Sequence, residues 1–289
     1  MKAVHLVSVA LVLMTVSAAL GTSLFTDGFE GYVGGNAPLD ANLSGANQGA
    51  NGGPNPWFGP APPNLRVVGT TGGVNPHGGN QMVTASAASD FDQDWVNIAY
   101  RTNGAAPVMG NVALDWWFYD PSGAGGTNYR DYVALGNYTY AASPTATADY
   151  GADSNLNHGS ALQRLSLGAS NPTGYDANSY QARVVGASDG LNGGGWFNVG
   201  TRSVGWHEGR IVLGDANGAS TTVSFYIDDM NTPVLTHGLM TTSGVNVIEL
   251  NAGFGSTLGY FDDIALTPEP ISLLALLLGL PLLSRRRSA

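Results

Sequence analysis

The chain of 289 residues has no cysteine, a single lysine, and 11 basic residues against 21 acidic ones. Without cysteine there is no disulfide, no thiolate ligand for zinc or iron–sulfur clusters, and no thiol nucleophile. A formal net charge of −10 has the wrong sign for the electrostatic footprint of a nucleic-acid binder, which excludes nucleic acid as a partner. Charged residues make up only 11%, but hydrophobic ones reach 43%, enough to bury a core. The chain is therefore neither disordered nor wholly embedded in a membrane. Glycine, at 41 residues, is abundant and punctuates the sequence throughout.

The few basic residues are unevenly placed. Lys2 precedes a mostly apolar run from Ala3 to Val16 and the small residues Ser17, Ala18 and Ala19. A positive start, an apolar stretch and a small-residue cleavage site form the layout of a secretory signal, expected over residues 1–21. At the other end Pro268-Glu269-Pro270 leads into Ile271 to Leu283, then Arg285, Arg286 and Arg287. The thirteen residues 271–283 would span roughly 20 Å as a helix, short of a hydrocarbon core of roughly 30 Å. Snorkelling arginines and local thinning extend such a segment's reach.

These ordered features, a Pro-Glu-Pro, a leucine-rich stretch and a terminal arginine cluster, are similar to the PEP-CTERM sorting signal over residues 267–289. That resemblance implies export by the Sec machinery, a transient stay in the inner membrane, and processing near Pro268-Glu269-Pro270 by an exosortase. The product would reside at the cell surface or in the extracellular polysaccharide matrix of a Gram-negative-type bacterium. Lys2 and the arginine cluster both favour the cytoplasmic side, which leaves the middle of the chain outside. Setting aside Lys2, Arg285 to Arg287 and Glu269 leaves 7 basic against 20 acidic residues, a net charge of −13 for the exported body.

Between the two ends, over residues 22–266, no long 3.6-residue period is found. Short runs of period 2 alternate with Gly, Asn, Pro and Ser, which predicts an all-β domain. In Val112 to Tyr119 the residues Val112, Leu114, Trp116 and Phe118 face one way, and Ala113, Asp115, Trp117 and Tyr119 the other. Further strands are expected at Leu65 to Val68, Gln81 to Ala85, Val96 to Tyr100, Tyr129 to Leu135, Leu162 to Leu167, Tyr180 to Val185, Arg210 to Leu213, Val223 to Ile227, Val247 to Leu250 and Tyr260 to Leu266. This number of strands fits one large antiparallel β-sandwich. The Gly/Asn/Pro stretch from Gly34 to Pro63 reads as a long surface loop.

Gly205, Trp206, His207, the alternation from Arg210 to Leu213, and Thr222 to Ile227 followed by Asp228 and Asp229 resemble the back half of a laminin-G-like, concanavalin A-like jelly roll. There a Trp-His pair opens one strand and an acidic turn closes the next. Phe25 to Tyr32 and Tyr260 to Ile264 resemble the first and last strands, which that fold sets side by side. The fold hosts lectins, glucanases and adhesion modules alike, so it leaves function open.

Glycoside hydrolysis needs two carboxylates flanking one bond, and Glu30, Glu208 and Glu249 are far apart in sequence. The clustered Glu-x-Asp-x-x-Glu strand of laminarinase-like glucanases is missing. His207 has no serine in a Gly-x-Ser-x-Gly elbow to activate, and a structural role beside Trp206 is expected. His77, His158, His207 and His237 lie too far apart in sequence for a zinc motif. Calcium is the cofactor for which there is a candidate site, because Asp90, Asp92 and Asp94 alternate and in a loop could converge on a hard cation. Trp95 replaces the glycine an EF-hand would require. For a glycan, Trp57 and Phe58 in the Gly/Pro loop are the rings best placed for exposure, with Trp117 and Tyr119 on the outward face of their strand as further candidates. The expectation is thus an exported, non-catalytic sandwich with a structural, adhesive or glycan-binding role and extracellular polysaccharide as a partner. A secreted glycoside hydrolase or lyase is the alternative.

Overall fold

The computed structural model describes residues 23–32, 41–42, 57–58, 65–85, 91–97, 111–126, 131–138, 161–169, 176–185, 195–214, 221–238, 244–245, 247–253 and 258–268. Every regular element among them is a strand. In chain order these are β1 (Phe25–Asp27), β2 (Ala41–Asn42), β3 (Trp57–Phe58), β4 (Arg66–Val68), β5 (Met82–Thr84), β6 (Phe91–Asn97), β7 (Val112–Asp120) and β8 (Asp131–Tyr138). There follow β9 (Ala161–Ala169), β10 (Ser179–Val185), β11 (Gly195–Thr201), β12 (Gly205–Leu213), β13 (Thr222–Ile227), β14 (Leu235–Gly238), β15 (Val247–Gly253) and β16 (Tyr260–Pro268).

They form two antiparallel sheets. One has nine strands in the order β14-β13-β12-β7-β16-β5-β4-β2, with β1 also on β16; the other has seven, β11-β10-β9-β8-β15-β6-β3. The chain crosses repeatedly between sheets, as a jelly roll requires, and the expected all-β antiparallel sandwich is what forms. First and last strands lie side by side, Phe25 opposite Leu266 and Asp27 opposite Ile264. Trp206 and His207 open β12, and Asp228, in the left-handed region (φ 61°), closes β13.

Period 2 sorts the core. Leu114, Trp116 and Phe118 of β7 meet Leu165, Leu167, Leu250 and Ala252 of the opposite sheet in one buried cluster. Trp116 lies over Gly209 so closely that a side chain there would collide with the indole. Boundaries differ from the sequence expectation at several strands. The strand expected to start at Val96 starts at Phe91, because the acidic residues that suggest a turn are accommodated in a ladder against β15, and the one expected from Arg210 starts at Gly205. The strands β11 and β14 are not apparent in the sequence, since the glycines of the first and the brevity of the second obscure alternation.

Candidate functional site

The residues singled out by sequence are scattered by the fold. Trp57 is 1% exposed, not on the surface. Its Nε1 donates to Asp27 Oδ2 at 2.8 Å, and its ring packs against Phe25 and Phe29. Asp27 also accepts from the Tyr32 hydroxyl and the Phe29 N–H, so this buried carboxylate requires the indole donor and draws it inward. The polar, glycine-rich surroundings of Trp57 describe its connections, not its destination. Phe58 is paired with Trp95 through the backbone, and its side chain lies outside the description. Asp92 and Asp94 stand on β6 opposite Ala252 and Leu250, whereas Asp90 is outside the described residues. Alternate residues of a strand are ~6.6 Å apart along its axis, so Asp92 and Asp94 are spaced along an extended strand and do not belong to a loop. Trp117 and Tyr119 do face outward, half-buried, on the nine-stranded sheet. Of the sorting residues, Pro268 ends β16 opposite Val112, while Glu269, Pro270, Arg285, Arg286 and Arg287 lie outside the description, as does 271–283. Among the described residues no helix is long and apolar enough to cross a membrane.

One assembly of polar side chains is not revealed by sequence reading. On β15, Ile248, Leu250 and Ala252 belong to the core, so Glu249 and Asn251 point to the outer face of the seven-stranded sheet. Register then aligns Trp95, Glu249, Ala134, Ser166, Arg183 and Trp196 in one row across six strands. A second row beside it reads Gln93, Asn251, Tyr132, Gly168, Gln181 and Asn198. Glu249 and Ser166 are each 1% exposed and Asn251 is 0% exposed. Glu249 and Arg183 stand three strand spacings apart, ~14 Å, with the small residues Ala134 and Ser166 between them. Gly168 keeps the second row low, because a side chain there would collide with the backbone of Asp131 and Tyr132. The result is a floor of small residues bordered by an acid, an amide and a guanidinium.

Two features give this floor chemical character. The Arg183 guanidinium lies 5.0 Å over the Trp196 ring, a cation–π contact that fixes both at one end of the row. The Ser166 hydroxyl is buried with no hydrogen-bond partner. Native structures rarely leave such a group unsatisfied, which sets this hydroxyl apart from its neighbours in the row. Gln181, by contrast, spends its amide on the Asp176 and Ser179 carbonyls at 2.9 and 2.6 Å, holding the turn before β10.

His207 superficially completes a Ser-His-Asp arrangement. Its Nδ1 is 2.8 Å from Asp228 Oδ2 and its Nε2 is 3.4 Å from Ser203 Oγ. The Ser203 carbonyl, however, is nearer to Nε2, at 2.9 Å. A nitrogen directed at a carbonyl oxygen donates a proton and offers no lone pair to a hydroxyl, so the imidazole ties β12 to the preceding turn and to Asp228. Close by, Arg202 grips buried Asp120 through two bonds, Nε to Oδ2 at 2.8 Å and Nη2 to Oδ1 at 2.9 Å. Burial pushes the Asp120 carboxyl up, but Arg202 and the N–H groups of Gly123 and Ser122 outweigh that and hold it below its ordinary value.

No protein-family model matches the chain, and no curated protein matches it. Solved structures with a similar course of the chain include the globular domain of T. cruzi calreticulin, at 8% identity and a TM-score of 0.47, covering 88% of this chain and 91% of that one. An endo-β-1,4-glucuronan lyase from the fungus Trichoderma reesei matches at 12% and 0.45, over 85% and 95% of the two chains. A carbohydrate esterase from the Shiga toxin-encoding bacteriophage phi24B matches at 15% and 0.44, over 85% and 98%. Likenesses this distant do not say what the chain binds, and the residues of its own sheet faces are the guide to function.

Proposed function

We propose that the protein is an exported, non-catalytic glycan-binding or adhesive β-sandwich that holds a polyhydroxyl ligand on the outer face of its seven-stranded sheet. The observation that carries this reading is the row Glu249, Ala134, Ser166 and Arg183, with its buried, unpartnered serine hydroxyl. Carboxylate, amide, hydroxyl and guanidinium groups over a floor of small residues suit the closely spaced hydroxyls of a sugar chain. The net charge of −13 on the body favours neutral glycans over polyanionic ones. Of the residues aligned in the two rows Glu249 alone is a carboxylate, which supports binding over two-carboxylate hydrolysis. Titrating the exported protein with neutral oligosaccharides should give saturable binding that Glu249→Gln weakens, with no new reducing ends. Turnover abolished by that substitution would establish the enzyme instead.

Export and sorting belong to the same proposal. The sheet runs as far as Pro268, so the folded body reaches the first residue of Pro-Glu-Pro without an intervening linker. Replacing Glu269 and Pro270 should leave an unprocessed, membrane-associated form. Identical mass and fractionation with the tail intact or altered would refute the sorting route.

A further inference from the structure

Trp117 sits on the other sheet, at the point where β16 bulges. Asp262 pairs with Trp117 and Ala265 with Asp115, and the extra residue between them, Asp263, is in the left-handed region (φ 47°). The His77 ring lies flat on Trp117, centroids 3.7 Å apart and planes 12° from parallel, with its edge toward Trp206 at 5.8 Å. His77 Nδ1 is 3.0 Å from Asp263 Oδ2. The backbone around His77 is fastened without its ring. Trp206 Nε1 donates to the Asn75 carbonyl at 3.1 Å, the Gly78 N–H donates to Asp262 Oδ2 at 3.0 Å, and Glu30 Oε1 accepts from the N–H groups of Asn80 and Gln81. Val74 is buried with Met82 and Tyr260. The imidazole itself, 31% exposed, is held by the stack on Trp117, the edge contact with Trp206 and one hydrogen bond. It can therefore swing away while the segment beneath it stays in place.

We propose that the Trp117 ring is a second glycan position, a stacking surface for one pyranose ring, which His77 covers in the free protein and yields to the ligand. A flat ring already seated on the indole shows that the surface accepts one, and a sugar presents an apolar face of similar shape. Once His77 moves, the Asp263 carboxylate that it leaves is a partner for hydroxyls. Around the imidazole stand Asp262 and Asp263 on β16 and, in register with Trp117, Glu208 on β12, while Arg210 next along β12 is paired with Asp115. This site does not depend on the row around Ser166 and Glu249.

The test uses the full chain carrying Ser166→Ala and Glu249→Gln, which weakens the other face, and follows tryptophan fluorescence during titration with cellohexaose, laminarihexaose and chitohexaose. His77→Ala should bind at least one probe about fivefold more tightly than the same chain with His77 present, equivalent to ~1 kcal/mol. His77→Phe, which keeps the stack without the Asp263 bond, should fall between the two. Neither substitution touches the core, so folding is not at risk. If His77→Ala binds no more tightly, or binds none of the three probes at ~10 mM, the proposal is overturned.

Discussion

Ser166→Ala should move stability and binding in opposite directions. The hydroxyl is 1% exposed and unpartnered, so in the free protein it has given up water without gaining a hydrogen bond. Leaving a buried polar group unsatisfied costs ~1–3 kcal/mol, and alanine removes the group with almost no change of volume. A gain of about 1 kcal/mol is expected, which in a body of this size raises the melting temperature by roughly 2–4 °C. In the complex the same hydroxyl would find its partner. A neutral hydrogen bond contributes ~0.5–1.5 kcal/mol, so affinity for a bound oligosaccharide should fall roughly 2–12-fold. Thermal denaturation and calorimetric titration on the same preparation read both effects. A serine satisfied within the protein would lower the melting temperature when replaced and leave binding alone. A lower melting temperature, or unchanged affinity, refutes the reasoning.

Two other predictions concern charges inside the fold. Arg202→Ala strands the Asp120 carboxylate beneath the surface, and breaking a buried pair from one side costs ~3–5 kcal/mol, so the variant should melt well below the parent in thermal scans. Burial pushes Asp262 up to about 7 against the pull of the Gly78 N–H, with Asp263 raising it further and the N–H groups of Asp263 and His77 lowering it. A carboxyl raised on folding stabilises the protein in full below its unfolded value and loses that contribution as pH rises through about 7. Asp262→Asn should therefore flatten the decline of melting temperature between about pH 4 and pH 7. Asp120, lowered on folding, works in the opposite sense, and its contribution is lost as acid protonates it.

Much of the architecture was legible in the sequence because period 2 is a local property. The alternation from Val112 to Tyr119 identified β7 and divided Trp116 and Phe118, which are core, from Trp117 and Tyr119, which face outward. Asp92 and Asp94 misled in part, because local polarity resembles a turn while strand formation at Phe91–Asn97 depends on pairing with β15. Trp57 misled fully. Its neighbours in sequence are mostly of the residue types that favour loops, but its partner Asp27 is thirty residues away and buried.

The sequence by itself determined the fold class, the lack of covalent staples, the acidic body and the charged, apolar ends, since composition and short-range pattern suffice for each. Only the tertiary structure decided which strands became neighbours, and with that which side chains share a surface. Glu249, Ser166 and Arg183 come from three strands well separated in the chain and meet in one row through hydrogen-bond register. His77 likewise reaches Trp117 through a loop fastened to a bulge in the last strand. Register and loop closure are long-range outcomes of packing, and no local pattern encodes them.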